Sequence, residues 1–251
     1  MNGARNADPH TLTRTRIKIC GLTREEDVDA AVALGADAVG FVLYPRSRRC
    51  VSPARAAELG RRLPPFVTPV LLFVNATASE AIAACAGLAG ATAQFHGDET
   101  PEDCWRASDQ GRIPFIRAAR IPLGADAAPF DLVKYARDYS HARAILLDAH
   151  VEGYGGGGKA FNWSLLPPNV ASHLVLSGGL TPANVTAGIL QVRPRARSLA
   201  VDVSSGVELD GPDAKPLPGL KDAGKIARFV AAVRTADEQF AKHSHVSVRP
   251  T

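Results

Sequence analysis

Cys20 and Asp148 are the side chains best placed for proton transfer, because each closes a short apolar run, Arg16–Cys20 and Ala144–Asp148. A reactive group at the end of a buried strand is presented at the rim of a core instead of inside it. A thiol acts as a base only as the thiolate, so it needs a cation nearby. Lys18 shares a strand face with Cys20, and Arg49 ends the basic loop Pro45-Arg46-Ser47-Arg48-Arg49. A carboxyl beside apolar residues is partly desolvated, which favours the protonated form and suits Asp148 to donate a proton. Each residue also has a plainer reading: Cys20 as the small buried filler that fits Cys50, Cys85 and Cys104, Asp148 as a turn or cap residue, Arg49 as a solvated loop side chain. His96, in Gln94-Phe95-His96-Gly97, reads as a hydrogen-bonded structural histidine before it reads as a catalytic one.

Such residues need a frame that gathers distant strand ends. Short β-rich runs alternate with helical stretches along the chain: Arg16–Cys20, Ala38–Tyr44, Pro69–Val74, Ala91–Phe95, Ile113–Ala118, Ala144–Asp148, His173–Ser177 and Leu199–Ser204. Thr23 with Glu25, Glu26 and Asp27 forms one helix-start signature, Gly35 ends that helix, and Ser52-Pro53 opens the next. About eight βα units without a linker predict an α/β fold, a single (β/α)₈ TIM barrel with parallel strands. Polar residues collect where the runs end: Cys20, Asn75, Gln94 and His96, Arg117, Asp148, Ser177, and Asp202 with Ser204. In a barrel these ends share one mouth, where active sites are built. The expected domain limits are a disordered extension at 1–14, the barrel at 15–235 and a flexible tail at 236–251.

Composition agrees and narrows the class. The 251 residues are 46% apolar and 22% charged, with a net charge of +4, which suits a globular protein and argues against wholesale disorder. Apolar runs fall short of the ~20 residues of a membrane span. The excess arginines are scattered, so a solvated surface is expected in place of nucleic-acid binding. The four cysteines form no CxxC pair or zinc spacing, and the polar N-terminal stretch does not read as a secretory leader, so a cytoplasmic protein with reduced thiols is expected. No metal or cofactor motif is present, and no obligatory protein partner is expected.

Three glycine-bearing stretches bear on ligands. Ser177-Gly178-Gly179 and Ser204-Ser205-Gly206 follow the seventh and eighth runs, where barrel loops commonly cradle phosphate with backbone N–H groups. Gly155–Gly158 with Lys159 fits neither a Walker loop nor a dinucleotide fingerprint and reads as a mobile lid.

Lys18-Ile19-Cys20-Gly21-Leu22-Thr23, Gly35-Ala36-Asp37-Ala38-Val39-Gly40-Phe41, Phe73-Val74-Asn75, Gln94-Phe95-His96-Gly97, Leu146-Leu147-Asp148, Leu176-Ser177-Gly178-Gly179-Leu180 and Val201-Asp202-Val203-Ser204-Ser205-Gly206-Val207-Glu208 follow one another in the chain. Together they resemble the ordered signature of the phosphoribosylanthranilate isomerase family, from about Arg16 to about Val233. The resemblance implies that Cys20 is the general base, Asp148 the general acid and Arg49 the holder of the anthranilate carboxylate. It further implies that Gly178, Gly179, Ser204, Ser205 and Gly206 bind phosphate and that Asp202 lies beside the anthranilate. Asn162, Phe95 and the all-glycine run Gly155–Gly158 depart from the common pattern, and the stretch 209–220 is longer than in compact members.

The implied reaction is the Amadori rearrangement of N-(5-phospho-β-D-ribosyl)anthranilate to 1-(2-carboxyphenylamino)-1-deoxyribulose 5-phosphate in tryptophan biosynthesis, with no cofactor and a small phosphosugar-anthranilate as ligand. Two rivals stand beside it: another phosphosugar isomerase on a related barrel, for which paired aspartates would be usual, and a silent phosphate-binding barrel. The presence of both a base and an acid favours an enzyme.

Overall fold

A computed structural model describes residues 14–122, 130–149 and 162–246, with side chains to residue 242. Its strands are β1 (Arg16–Cys20), β2 (Ala38–Val42), β3 (Thr68–Phe73), β4 (Thr92–Phe95), β5 (Phe115–Ile121), β6 (Ala144–Ala149), β7 (His173–Leu176) and β8 (Ser198–Val203). They form a closed barrel in chain order, every pair parallel, with β8 returning to β1. Parallel neighbours need a crossover, and the described crossovers include α1 (Glu25–Ala33), α2 (Pro53–Gly60), α3 (Ala78–Ala86), α4 (Pro101–Ala107), α5 (Leu132–Asp138) and α6 (Val185–Val192).

Local sequence explains most helix starts. Ser52 caps α2 with Pro53 as its first residue, and Thr77 with Glu80 and Thr100 with Asp103 form capping boxes on α3 and α4. The first helix departs from expectation. Arg24, without a side-chain cap, precedes α1, while the Thr23 hydroxyl donates to the Gly219 carbonyl at 2.8 Å. Glu25, Glu26 and Asp27 still occupy the first turn, where negative charge suits the helix dipole.

Strand alternation divides the core. Ile17, Ile19, Val39, Phe41, Leu71, Phe73, Ala93, Phe95, Ile145 and Leu147 pack outward against the helices. Ala118, Leu146 and Val175, with Ile116, Ala144 and Ala200 against them, fill the barrel axis, and Cys20, Val42, Leu72 and Val74 form a further inner cluster. The same alternation corrects one expectation. Strand β5 runs on to Ile121, so Arg117 sits within it and turns to the helix side, where its guanidinium lies 4.9 Å from the Tyr139 ring centre and pairs with Glu99 at 2.8 Å.

Two more expectations change. The stretch 209–220 is built as an antiparallel hairpin of β9 (Glu208–Asp210) and β10 (Pro216–Lys221). The tail expected from residue 236 is instead helix: α7 spans Ala223–Val246, Ala236 is buried, and Asp237 accepts from the Thr15 amide at 3.0 Å. Arg193 also reaches Asp237, so two separate segments hold this turn of α7, and Arg234 of the same helix pairs with it as well. Residues 1–13 and the segment Gly155–Lys159 lie outside the described residues.

Candidate active site

Closure of the barrel sets the first half of the site. Parallel pairing of β1 with β8 puts Lys18 opposite Asp202 and aims both inward, where Nζ donates to Oδ1 at 2.9 Å. Both are buried, so each charge depends on the other; removing one partner of such a pair typically costs ~3–5 kcal/mol. Burial acts against the Lys18 charge, but Asp202 and Cys20 outweigh it and hold the pKa above the ordinary lysine value. The Cys20 thiol is on the same face one step nearer the mouth. A Cβ on Gly40 of the adjoining strand would lie 2.7 Å from Cys20 Sγ and 3.1 Å from Lys18 Nζ, so only glycine lets the two approach there.

Burial pushes the Cys20 thiol up and Lys18 pulls it back only in part. The neighbouring ammonium is therefore present as the sequence suggested, yet the net shift is upward. Cys85 and Cys104 face no lysine, and burial takes their thiols to about 11 and about 12. They pack among apolar residues as fillers.

Across the mouth, Asp148 at the end of β6 is buried and held by both oxygens. Oδ2 is 3.0 Å from His96 Nε2, and Oδ1 accepts the Ala149 amide at 2.9 Å. Gly178 bounds this carboxyl. Its φ of +75° suits glycine, and an added Cβ would sit 2.8 Å from Asp148 Oδ1 and 2.7 Å from the Ala149 nitrogen. We expect Gly178→Ala to lower Tm, because the added methyl crowds the Asp148 carboxyl and the positive φ is unfavourable for alanine. Thermal unfolding followed by circular dichroism measures this, and an unchanged Tm would contradict the contact.

Arg49 is engaged within the protein. Its Nε and Nη2 donate to the two oxygens of Glu208, each at 2.7 Å, in a bidentate pair. Lys221, at the end of the β9–β10 hairpin, donates to Glu208 Oε1 at 3.0 Å and to the Ser204 carbonyl at 3.1 Å. The Gly219 amide also donates to Oε1, at 2.8 Å. Burial acts to raise the Glu208 pKa, but Arg49 and Lys221 reverse this and hold it below the usual value; burial lowers that of Lys221. Two cations around one carboxylate leave a positive excess beside Cys20 and Ser204.

The glycine loops meet as expected of neighbouring strand ends. A Cβ on Gly206 would collide with the Leu180 carbonyl, so the loops after β7 and β8 are in contact. Gly178 and Gly179 both have positive φ, and Ser205–Val207 forms a short 3₁₀ turn. The Gly179 carbonyl is tied down by the Asn184 side chain at 2.9 Å, just ahead of α6.

Residues 17–232 match the family model for N-(5'-phosphoribosyl)anthranilate (PRA) isomerase. The chain belongs to the PRA isomerase family. It is 59% identical over 228 residues to the N-(5'-phosphoribosyl)anthranilate isomerase of Methylibium petroleiphilum, covering 91% of this chain and 98% of the relative. It is 56% identical over 225 residues to that of Dechloromonas aromatica, covering 90% and 99%. Among solved structures it resembles phosphoribosyl anthranilate isomerase from Thermotoga maritima, with a TM-score of 0.74, 40% identity and coverage of 88% of this chain and 99% of that one. A second resembled structure is a phosphoribosyl anthranilate isomerase in complex with reduced 1-(o-carboxyphenylamino)-1-deoxyribulose 5-phosphate, at a TM-score of 0.71 and 38% identity, covering 88% and 99%.

Within this PRA isomerase barrel, Cys20, Asp148 and Asp202 lie at or next to the C-terminal ends of strands, and Arg49 and the loops at 178–179 and 204–206 lie in the segments that follow β2, β7 and β8. Lys18 and Asp202 form a pair that the sequence placed in one mouth without joining. Glu208 and Lys221, which hold Arg49 and the Ser204 turn, are not singled out by the sequence. The only available signal was Glu208 closing the Ser205-Gly206-Val207-Glu208 stretch, and nothing in the sequence links it to Arg49 or Lys221, since their meeting depends on the hairpin.

Proposed function

We propose that this chain catalyses the PRA isomerase reaction with Cys20 as general base and Asp148 as general acid, in the Amadori rearrangement serving tryptophan biosynthesis. The observation that carries the reading is the meeting of a thiol beside an ammonium with a buried carboxyl under a histidine, at the strand ends of one PRA isomerase barrel. Asp148 donates a proton to the furanose ring oxygen, and the ring opens to a protonated Schiff base. Cys20 as thiolate removes the proton from C2′, giving an enolamine. Tautomerisation moves a proton to C1′ while the C2′ hydroxyl loses one, so the two protons gained by substrate match the two it gives up. General acid–base steps of this kind contribute ~10²–10⁴-fold each.

The ligand is a small phosphosugar-anthranilate with an anion at each end. Its phosphate suits the backbone of Gly178, Gly179, Ser204, Ser205 and Gly206. Its carboxylate suits Arg49, whose Nη1 is uncommitted among the described residues while Glu208 fixes the plane of the guanidinium. Asp202 would flank the anthranilate ring while keeping Lys18 close to Cys20. Anchoring both ends aligns C2′ with the thiol, and such positioning contributes much of an enzymatic acceleration. Four free thiols and the absence, among the described residues, of any helix long and apolar enough to cross a membrane support a cytoplasmic setting.

Rescue of a tryptophan-requiring strain that lacks the isomerase, together with loss of anthranilate-type fluorescence on addition of the purified protein, tests the reading. Failure of both would overturn it. Arg49→Ala is expected to raise KM by at least ~10-fold, the worth of one charge-assisted hydrogen bond, with no larger fall in kcat. Unchanged KM would remove the anchoring role.

A further inference from the structure

Gln94 and His96 take no part in the proton transfers above, yet both are buried and hydrogen-bonded in a line that ends on Asp148. The Gln94 amide Nε2 lies 3.0 Å from His96 Nδ1, and His96 Nε2 lies 3.0 Å from Asp148 Oδ2. If the Gln94 amide presents its N–H to Nδ1, that nitrogen accepts, and the imidazole proton resides on Nε2 and is donated to the carboxyl. Asp148 Oδ2 is capped in this way; Oδ1 accepts the Ala149 amide at 2.9 Å and, beside Gly178, keeps a second lone pair for the carboxylic proton.

Two further features show that the line is built for orientation. Arg117 donates to the Phe95 carbonyl at 2.9 Å and to the Gly97 carbonyl at 3.1 Å, while Glu99 accepts the Gly97 amide at 2.9 Å, so the backbone on both sides of His96 is clamped by a buried ion pair. The charged groups around His96 include Asp148 in front, the Arg117–Glu99 pair behind, and Arg120, which lies opposite Asp148 in the β5–β6 register and pairs with Asp98 at 3.1 Å. The second feature is that Gln94 Oε1 is buried with no partner among the described residues. An orphaned amide oxygen is unfavourable, and an apolar side chain of similar size would fill the space without it. What Gln94 supplies that such a residue cannot is the hydrogen bond to His96.

We propose that Gln94 and His96 are positioning residues that fix which oxygen of Asp148 carries the catalytic proton. Gln94 selects the His96 tautomer, and His96 directs the proton to Oδ1. This rests on the reading of Asp148 as the general acid.

A double-mutant cycle with ¹⁵N-histidine spectroscopy tests it. His96→Asn is expected to lower kcat by ~10-fold or more with KM within about twofold, and to cause no further loss in an Asp148→Asn background. Gln94→Met exchanges the orphaned Oε1 for an unpartnered His96 Nδ1, so Tm is expected to stay within a few degrees of the wild type, while the ¹⁵N spectrum loses the pure Nε2–H tautomer and kcat falls at constant KM. A merely structural glutamine would give the reverse, lower Tm and unchanged kcat. Additive losses in the cycle, or wild-type kcat in a Gln94→Met protein with altered tautomer, would overturn the proposal. If His96→Asn does not fold, Gln94→Met decides alone. Wild-type kcat in Asp148→Asn overturns the acid itself, whereas an inactive Asp148→Asn beside a fully active His96→Asn overturns only the positioning line.

Discussion

Cys20→Ala lowers kcat by ~10²-fold or more and leaves KM near the wild-type value, because the thiol contributes to proton removal from C2′ and not to either anion anchor. The substitution removes one buried sulfur from a cluster with Val42, Leu72 and Val74, so the fold is retained. A pH profile of the wild type adds an independent check. Burial raises the thiol pKa above the ordinary cysteine value against the opposing pull of Lys18. The base is the deprotonated form, so kcat/KM, which reports the free enzyme, rises with pH from neutrality toward that raised pKa. A wild-type rate in Cys20→Ala, or a profile flat through the alkaline range, would remove Cys20 as the base.

Asp148→Asn lowers kcat by an equal or greater factor, again ~10²-fold or more. The amide matches the carboxyl in shape, and its oxygen can accept either the Ala149 N–H or the His96 N–H, so much of the local hydrogen bonding survives. What it lacks is an acidic proton for the ring oxygen. Without ring opening there is no Schiff base to acidify C2′, so the loss precedes and includes the step assigned to Cys20. The two losses are therefore far from additive: Cys20→Ala/Asp148→Asn is little slower than Asp148→Asn alone. Steady-state rates of the three variants measure this, and fully multiplied losses would mean that both residues lower one rate-limiting barrier in place of successive ones.

Much of this organisation is legible along the chain. Residues of alternating polarity in runs such as Lys18-Ile19-Cys20 and Gln94-Phe95-His96 fix which side chains face the axis, because a strand repeats every two residues. Thr77 with Glu80 and Thr100 with Asp103 mark helix starts through contacts three residues apart. Arg117 was misplaced because the end of its strand could not be read from hydropathy, and an error of a few residues moves a side chain from a strand end into the strand body. The helix beyond residue 235 was missed because its anchor, Asp237, is held by Thr15 and Arg193, far away in sequence.

The sequence by itself determined the class of fold, the order of the strands and the identities of the candidate base and acid, since these depend on local periodicity and on which residue ends each run. Tertiary structure alone decided the partnerships: Lys18 with Asp202, Arg49 with Glu208 and Lys221, His96 with Asp148. These contacts set the electrostatics of the mouth. They exist only once β8 has closed on β1 and the hairpin has folded over it, because an ion pair or a hydrogen bond needs atoms within about 3 Å and distance along the chain says nothing about that separation until the ring is complete.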